Sequence, residues 1–253
     1  MKKQTRNILM YLALIIAILI ALNIIILLTS YKSPPESINK EEKQENKFLK
    51  LNDTTLVSIN IPAIDLEGKG VSTILTIEAV KGTGRTLVDI ESLLFWADTQ
   101  QSIRMARFVA GNISKINPDE YDLVYNIKAN ASLIGGPSAG AALTLGTIFA
   151  LEGKKPKDNV MITGTINHDG TIGPVIGILE KAKASKQAGA TLFLVPLMQS
   201  REVIYETTKY CQKFGTTEVC TTETIPKSIN IEEEAEIKVI EVSSIQEALK
   251  YFE

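Results

Sequence analysis

The hydrophobic pattern of the chain divides it into an apolar N-terminal segment and a longer mixed body. Residues 8–29 carry no charge, and Asn23 and Thr29 are their only strongly polar members. At a rise of about 1.5 Å per residue, such a helix crosses the roughly 30 Å hydrocarbon core of a bilayer. Three basic residues lie in the seven positions before it. The pattern predicts a basic tail over 1–7 and one transmembrane signal anchor over 8–29.

The residues around this anchor leave its processing and orientation open. A cleaved signal peptide usually has a shorter apolar region and a small-residue cleavage site, and no Ala-x-Ala pattern follows here. The basic tail favours a cytoplasmic N-terminus and an extracytoplasmic body, although further lysines follow the apolar run. Residues 30–50, which include Pro34 and Pro35 and mix Lys with Glu, predict a flexible stalk. We therefore expect a single-pass protein of the cell membrane.

Beyond the stalk, strand and helix patterns alternate, which predicts an α/β (α+β) body over 51–253. Runs rich in β-branched residues predict strands, and apolar spacings of three and four predict helices. The expected strands cover 56–61, 72–80, 85–90, 123–129, 160–166, 191–195 and 237–242. The expected helices cover 92–116, 141–151, 178–188 and 244–252. The polar residues 199–235 show no clear pattern.

Composition and charge exclude several function classes. One His and two Cys cannot build a zinc cluster, an iron–sulfur site or a histidine-rich metal centre, so no metal or cofactor is expected. Residues 51–253 hold six more acidic than basic residues and no basic stripe, which argues against nucleic-acid binding. No G-x-x-x-x-G-K-[ST] phosphate loop occurs in the 253 residues, so we expect no Walker-type ATPase within them.

One serine lies in a run of small residues, Gly-Gly-Pro-Ser-Ala-Gly over 135–140. The small neighbours would let a peptide backbone approach the Ser138 hydroxyl, and free N–H groups at the start of a helix could stabilise an oxyanion. Pro137 has no N–H group, so the expected donors are Ser138 and either Gly135 or Gly136. The alternative is a glycine-rich loop with a helix-capping serine.

The base for this serine must be His168 or a lysine. His168, the only histidine, lies in Asn-His-Asp-Gly, which predicts an exposed turn. A lysine can act as a base if burial keeps its amine neutral. At about 100° per residue along the helix 178–188, Lys181 falls on the face of small and apolar residues, while Lys183 and Lys186 fall at its edge or outside it. Lys181 is the expected base, unless it extends along the helix edge into solvent.

Taken together, these motifs resemble the proteolytic domain of Lon proteases. That family has a P-K-D-G-P-S-A-G serine motif and a T-G-E-I…G-x-V-x-P-I-G-G-x-x-E-K lysine motif, and residues 163–181 are similar to the second. Serine and lysine are 43 positions apart in the family, and Ser138 and Lys181 have the same separation. The resemblance covers roughly 55–250, except that 199–235 looks like an insertion.

The resemblance implies a fold, a reaction and an assembly. It implies mixed sheets with packed helices, a Ser138–Lys181 dyad that hydrolyses peptide bonds in protein or peptide substrates, and Thr163 as the residue that holds the lysine amine. It also implies a homo-oligomer such as a hexameric ring. The chain departs from the family at four positions, where the family's Asp, Lys, His and Glu are Gly135, Ile134, Asn126 and Thr165. These departures leave regulation and substrate choice open.

The leading hypothesis is therefore a membrane-anchored, ATP-independent serine endopeptidase. Two other hypotheses remain: an amidase or esterase of small molecules that uses the same dyad, and a catalytically silent scaffold, which the departure at Gly135 would favour. Cys211 and Cys220 are nine positions apart and could close a disulfide loop, which would suit an oxidising exterior, or could remain free thiols.

Overall fold

The computed structural model describes most residues after position 47 and one residue before it. The chain divides into two units, Met1–Lys43 and Gln44–Glu253. The described residues are Leu22, 48–51, 53–89, 97–128, 136–215 and 217–253. Among them, no helix combines the length and the apolar character needed to cross a bilayer. The predicted tail over 1–7 and, apart from Leu22, the predicted anchor over 8–29 lie outside the described residues, so both stay predictions.

The body is built from twelve described strands, five α-helices and two short 3₁₀ helices. The strands are β1 Phe48–Leu51, β2 Thr54–Ile64, β3 Gly70–Lys81, β4 Thr86–Val88, β5 Tyr121–Lys128, β6 Val160–Ile162, β7 Thr165–Ile166, β8 Ile172–Gly173, β9 Leu192–Pro196, β10 Arg201–Phe214, β11 Thr217–Asn230 and β12 Lys238–Val242. The helices are α1 Ala97–Ser114, α2 Gly140–Glu152, α3 Ile178–Gln187, α4 Ile231–Ala235 and α5 Ile245–Phe252, with 3₁₀ helices at Pro118–Glu120 and Pro137–Ala139. This mixture agrees with the predicted fold class.

The larger sheet has five strands in the order β1-β2-β3-β5-β4. Its pairs are antiparallel except for β4 and β5, which run parallel. Alternate apolar residues of β2 and β3, among them Ile59 and Ile77, pack in one core cluster with residues of α1, α2 and α5. Helix α2 is buried from Gly140 to Leu151. Burial on every side explains why α2 is apolar all round rather than amphipathic.

A second, parallel sheet in the order β12-β9-β6 carries a smaller core with α3 and α4. Helix α3 also contacts β2 and β3, so it lies against both sheets. This contact requires a glycine, because a Cβ atom on Gly70 would lie 1.9 Å from the backbone oxygen of Glu180. The helix α3, which carries Lys181, therefore packs directly against the start of β3.

Strands β10 and β11 form a long two-stranded hairpin, which we call the ribbon (residues 201–230). They pair antiparallel from Arg201 opposite Asn230 to Phe214 opposite Thr217. Most of the described side chains of the ribbon are exposed. Cys211 lies opposite Cys220, and a disulfide joins them. The ribbon occupies most of the polar segment to which the sequence pattern assigned no element.

The strand predicted after the helix α2 is divided in the structure. The strand predicted over 160–166 is interrupted, since β7 pairs with β8 rather than joining the parallel sheet. The chain turns at Gly164, whose φ of 158° is unfavourable for residues with a side chain. Residues 48–50 of the predicted stalk belong to β1, which pairs with β2, while 30–47 lie outside the described residues, so the stalk stays a prediction.

Candidate active site

Ser138 is the middle residue of the 3₁₀ helix that leads into α2. Its side chain is half-buried. Its carbonyl oxygen accepts hydrogen bonds from the Gly164 N–H at 3.0 Å and from the Thr163 hydroxyl at 3.3 Å. The Ala141 N–H donates in turn to the Gly164 carbonyl at 3.0 Å. These bonds fix the serine segment against the residues that follow β6.

Gly136 precedes the 3₁₀ helix of Ser138 and has an extended backbone, with φ 178° and ψ 167°. Among the described residues, and apart from its chain neighbours, no heavy atom lies within 4 Å of where its Cβ would be. Ser138 lies in the first turn of a helical segment, where N–H groups lack an intrahelical acceptor. The other expected oxyanion donor, Gly135, lies outside the described residues. A substrate backbone could thus approach Ser138 past Gly136.

Lys181 is buried on α3, with 2% of its surface exposed. Lys183 is half-buried and Lys186 is exposed, so the prediction from helix geometry that Lys181 is the buried lysine is confirmed. No carboxylate among the described residues forms an ion pair with the Lys181 amine. Burial lowers the pKa of Lys181 to about 8, and the negative charge of Glu202 opposes this shift. A substantial fraction of the amine is therefore neutral at mildly alkaline pH.

The role that the resemblance gave to Thr163 stays a prediction. Thr163 is buried, with 1% of its surface exposed, and its hydroxyl donates a hydrogen bond to the Ser138 carbonyl. It follows β6 directly, and its side chain meets the 3₁₀ helix that carries Ser138. Among the described residues, no hydrogen bond joins the Ser138 hydroxyl to the Lys181 amine. Catalytic hydrogen bonds are often long in unliganded enzymes and shorten when substrate binds.

The other residues that the sequence singled out have the following positions in the structure. His168 is exposed in the turn between β7 and β8, as predicted. Asn126, which stands where bacterial relatives of the family have a histidine, is half-buried and donates a hydrogen bond to the Asp89 carboxylate, while its own side-chain oxygen is buried and bonds none of the described residues. Thr165 lies on β7, and Ile134 lies outside the described residues.

The two cysteines do not form a metal site. Ligand atoms of Cys211, Cys220 and Glu218 lie within 4.8 Å of one another, in a group that is exposed. The disulfide between the cysteines removes both thiolates, and the thiolate is the form that binds metal.

The sequence pattern did not indicate two residues that lie next to α3, Glu202 and Gln199. One carboxylate oxygen of Glu202 accepts a hydrogen bond from the Leu179 N–H at 3.0 Å. Gln199 bonds Val175 twice, accepting from its N–H at 2.9 Å and donating to its carbonyl at 2.7 Å. Both residues lie in the polar segment 199–235. No spacing along the chain indicates them, because they act on a helix from another part of the sequence.

Comparison with known proteins identifies the family of this site. The model of the Lon protease (S16) C-terminal proteolytic domain matches residues 70–230. Lon protease 2 of Bacillus subtilis (strain 168) is 32% identical over 114 residues, which cover 41% of this chain and 20% of that protein. Lon protease of Lawsonia intracellularis is 31% identical over 133 residues, 51% of this chain and 16% of that protein. Lon protease 1 of Herpetosiphon aurantiacus is 32% identical over 130 residues, 49% of this chain and 16% of that protein.

The chain thus spans a fifth or less of the length of these relatives. The matched segment begins at β3 and ends with β11, so it includes Ser138, Thr163 and Lys181. It covers more than half of the chain. The chain belongs to the family of Lon protease (S16) C-terminal proteolytic domains, which makes it a serine peptidase of the hydrolase class.

Proposed function

We propose that the body is an endopeptidase in which Ser138 is the nucleophile and Lys181 the general base. The observation that carries the proposal is the buried amine of Lys181, whose pKa of about 8 gives a neutral base without a histidine. The serine segment lies at the start of a buried helix, and none of the described residues fills the space beside Gly136, which suits an acyl-transfer nucleophile.

The proposed reaction proceeds in two halves. Neutral Lys181 takes the proton of the Ser138 hydroxyl while the oxygen attacks the carbonyl carbon of a peptide bond. The N–H of Ser138 stabilises the oxyanion, and the lysine ammonium then passes its proton to the departing amine, which leaves an acyl-enzyme. A water molecule, deprotonated by Lys181, attacks this ester and releases the acid, and the serine oxygen regains its proton. No cofactor takes part in this scheme.

The proposed substrates are unfolded or membrane-associated proteins, cleaved without nucleotide. The absence of a Walker-type phosphate loop from the 253 residues supports independence from ATP. We expect the purified full chain in detergent to digest casein without added nucleotide, and Ser138→Ala to abolish the digestion. Strict dependence on ATP would contradict this part of the proposal. Hydrolysis of small esters or amides alone would favour the amidase alternative, and no hydrolysis of either would favour the scaffold.

We also propose that the body lies outside the cytoplasm, held to the membrane by residues 8–29. The basic residues among the first seven positions support this orientation, and so does the disulfide of the ribbon, since such bonds persist in oxidising compartments. Protease added to intact cells should remove the body and spare an N-terminal tag. Protection of the body until the cells are lysed would place it in the cytoplasm.

The proposed assembly is a homo-oligomeric ring, such as a hexamer. Its support is the family to which the body belongs. The mass of the detergent-solubilised full chain, measured by sedimentation, tests it, and a monomer at micromolar concentration would contradict it.

A further inference from the structure

The first turn of α3 is bonded to the first residues of the ribbon. Glu202, the second residue of β10, accepts the hydrogen bond of the Leu179 N–H at 3.0 Å. Leu179 is the second residue of α3 and lies two positions before Lys181. The first N–H groups of a helix lack intrahelical partners and carry the positive end of the helix dipole. A carboxylate at this place therefore stabilises the helix start by both hydrogen bond and charge.

The turn before Glu202 is held on two sides. Gln199 makes its two hydrogen bonds to Val175, which precedes α3. The Glu241 carboxylate on β12 accepts the N–H groups of Met198 and Ser200, each at 2.9 Å. Hydrogen bonds from Ser200, and then from the neighbouring backbone N–H groups, lower the pKa of Glu241, so it is ionised at neutral pH. These hydrogen bonds hold the turn in place, and the turn fixes the position of Glu202.

Few other charges face Lys181 from the elements that pack against α3. Strands β2 and β9 contain no ionisable residue. Strand β3 contains Glu78 and Lys81, but both lie in its second half, whereas α3 contacts its start at Gly70. Helix α4 also packs against α3, and its acidic residues are exposed: Glu232, Glu233 and Glu234. The charged residues of β10 other than Glu202 are exposed as well: Arg201, Glu206, Lys209 and Lys213.

The charged side chains of α3 other than Lys181 form an ion pair or are exposed. Glu180 pairs with Lys183 at 2.9 Å, and Lys186 is exposed. Among the described residues, Glu202 is the one whose charge shifts the pKa of Lys181, in the direction opposite to burial. The same carboxylate therefore touches the backbone of the lysine helix and acts on the lysine amine.

We propose that Glu202 is a positioning residue of the dyad, which anchors the first turn of α3 and keeps a counter-charge near the buried Lys181. This inference rests on the proposed function, in which Lys181 is the base. Burial alone favours the neutral amine, and the Glu202 carboxylate favours the ammonium. Glu202 thereby sets the pH at which the peptidase becomes active and holds it higher than burial alone would.

The test is the pH profile of kcat/KM for the full chain and for Glu202→Gln. The glutamine keeps an oxygen that can accept the Leu179 N–H but removes the charge. We expect the acid limb to move to lower pH by ~0.3 unit or more, which is a twofold or larger gain in neutral amine below the midpoint. Glu202→Asp, which keeps the charge, should hold the midpoint nearer that of the unmodified chain.

Glu206→Gln is the matched control, because Glu206 is exposed on the same strand and pairs with Lys227. Its profile should coincide with that of the unmodified chain. Coincident profiles for Glu202→Gln and the unmodified chain, or an equal shift for Glu206→Gln, would overturn the inference.

A second measurement does not require turnover. In full chain with lysines labelled at the ε-carbon, the Lys181 resonance is identified by its loss in Lys181→Arg and is titrated by NMR. Its midpoint should fall in Glu202→Gln and not in Glu206→Gln. An inactive chain whose Lys181 midpoint still shifts would refute the proposed function but not the coupling. An active chain with an unshifted midpoint would refute the coupling alone.

Discussion

Ser138→Ala should lower kcat/KM for peptide hydrolysis by ~10³-fold or more, and Lys181→Ala should do the same. The serine oxygen forms the bond to the substrate, and the lysine amine takes its proton, so either loss stops the same step. The double variant should lose no more than either single one, because the two residues act as a unit. Initial rates on a fluorogenic peptide, measured at pH 8 to 9, provide the comparison.

Each variant has a matched control, in which a residue of the same type is replaced at an exposed position. Ser228→Ala replaces an exposed serine of the ribbon, and Lys186→Ala replaces an exposed lysine of the same helix. Both should keep the rate of the unmodified chain. Full activity in Lys181→Ala would exclude the lysine as the base, and additive losses in the double variant would show that the residues act in separate steps.

Lys181→Met should make the body more stable at neutral pH while removing its activity. The pKa of Lys181 is about 8 in the folded chain, against 10.5 as its ordinary value. Below pH 8 the folded state holds a buried ammonium that the unfolded chain would solvate. A difference of this size corresponds to roughly 3 kcal/mol of unfolding free energy. Methionine fills similar space without charge, so it should recover much of this amount.

The stability difference between Lys181→Met and the unmodified chain should depend on pH. Between pH 8 and 10.5 the unfolded chain binds more protons than the folded one, so the free energy of unfolding of the unmodified body should rise with pH. The advantage of Lys181→Met should accordingly shrink across that range. Urea unfolding followed by circular dichroism at pH 7 and pH 10 measures both, with Lys186→Met as the control. Equal stability of Lys181→Met and the unmodified chain at pH 7 would indicate that the amine does not bear the burial penalty.

The sequence predicts best those parts of the fold in which one face of an element is buried. The expected strands 56–61 and 72–80 are the cores of β2 and β3, and the expected helix 141–151 is α2 almost to the residue. The burial of Lys181 also follows from its angle on a helix with a small-residue face. In each case the pattern of apolar residues is the direct consequence of packing.

The sequence fails where tertiary contacts decide the structure. Both faces of the ribbon are largely exposed, so its strands show no alternation between apolar and polar residues that could indicate them. The hydrogen bond from Thr163 to the serine segment depends on the turn at Gly164, and the bond of Glu202 to α3 joins two distant segments. Neither contact produces a periodic pattern of apolar and polar residues in the sequence.

The pairing register of the ribbon makes it a separable module. Arg201 and Asn230 lie opposite each other, and the Ile231 N–H bonds the Ser200 carbonyl at 3.0 Å, so the chain leaves and re-enters the body at neighbouring points. Evolution or protein engineering can therefore lengthen, shorten or exchange the outer part without moving the two attachment points. Near these attachment points, Glu202 bonds the lysine helix, and Ile229 lies in the core cluster that contains Ile178 and Ala182 of that helix. The distal half is a site where a tag or a recognition peptide can be inserted with little strain on the dyad.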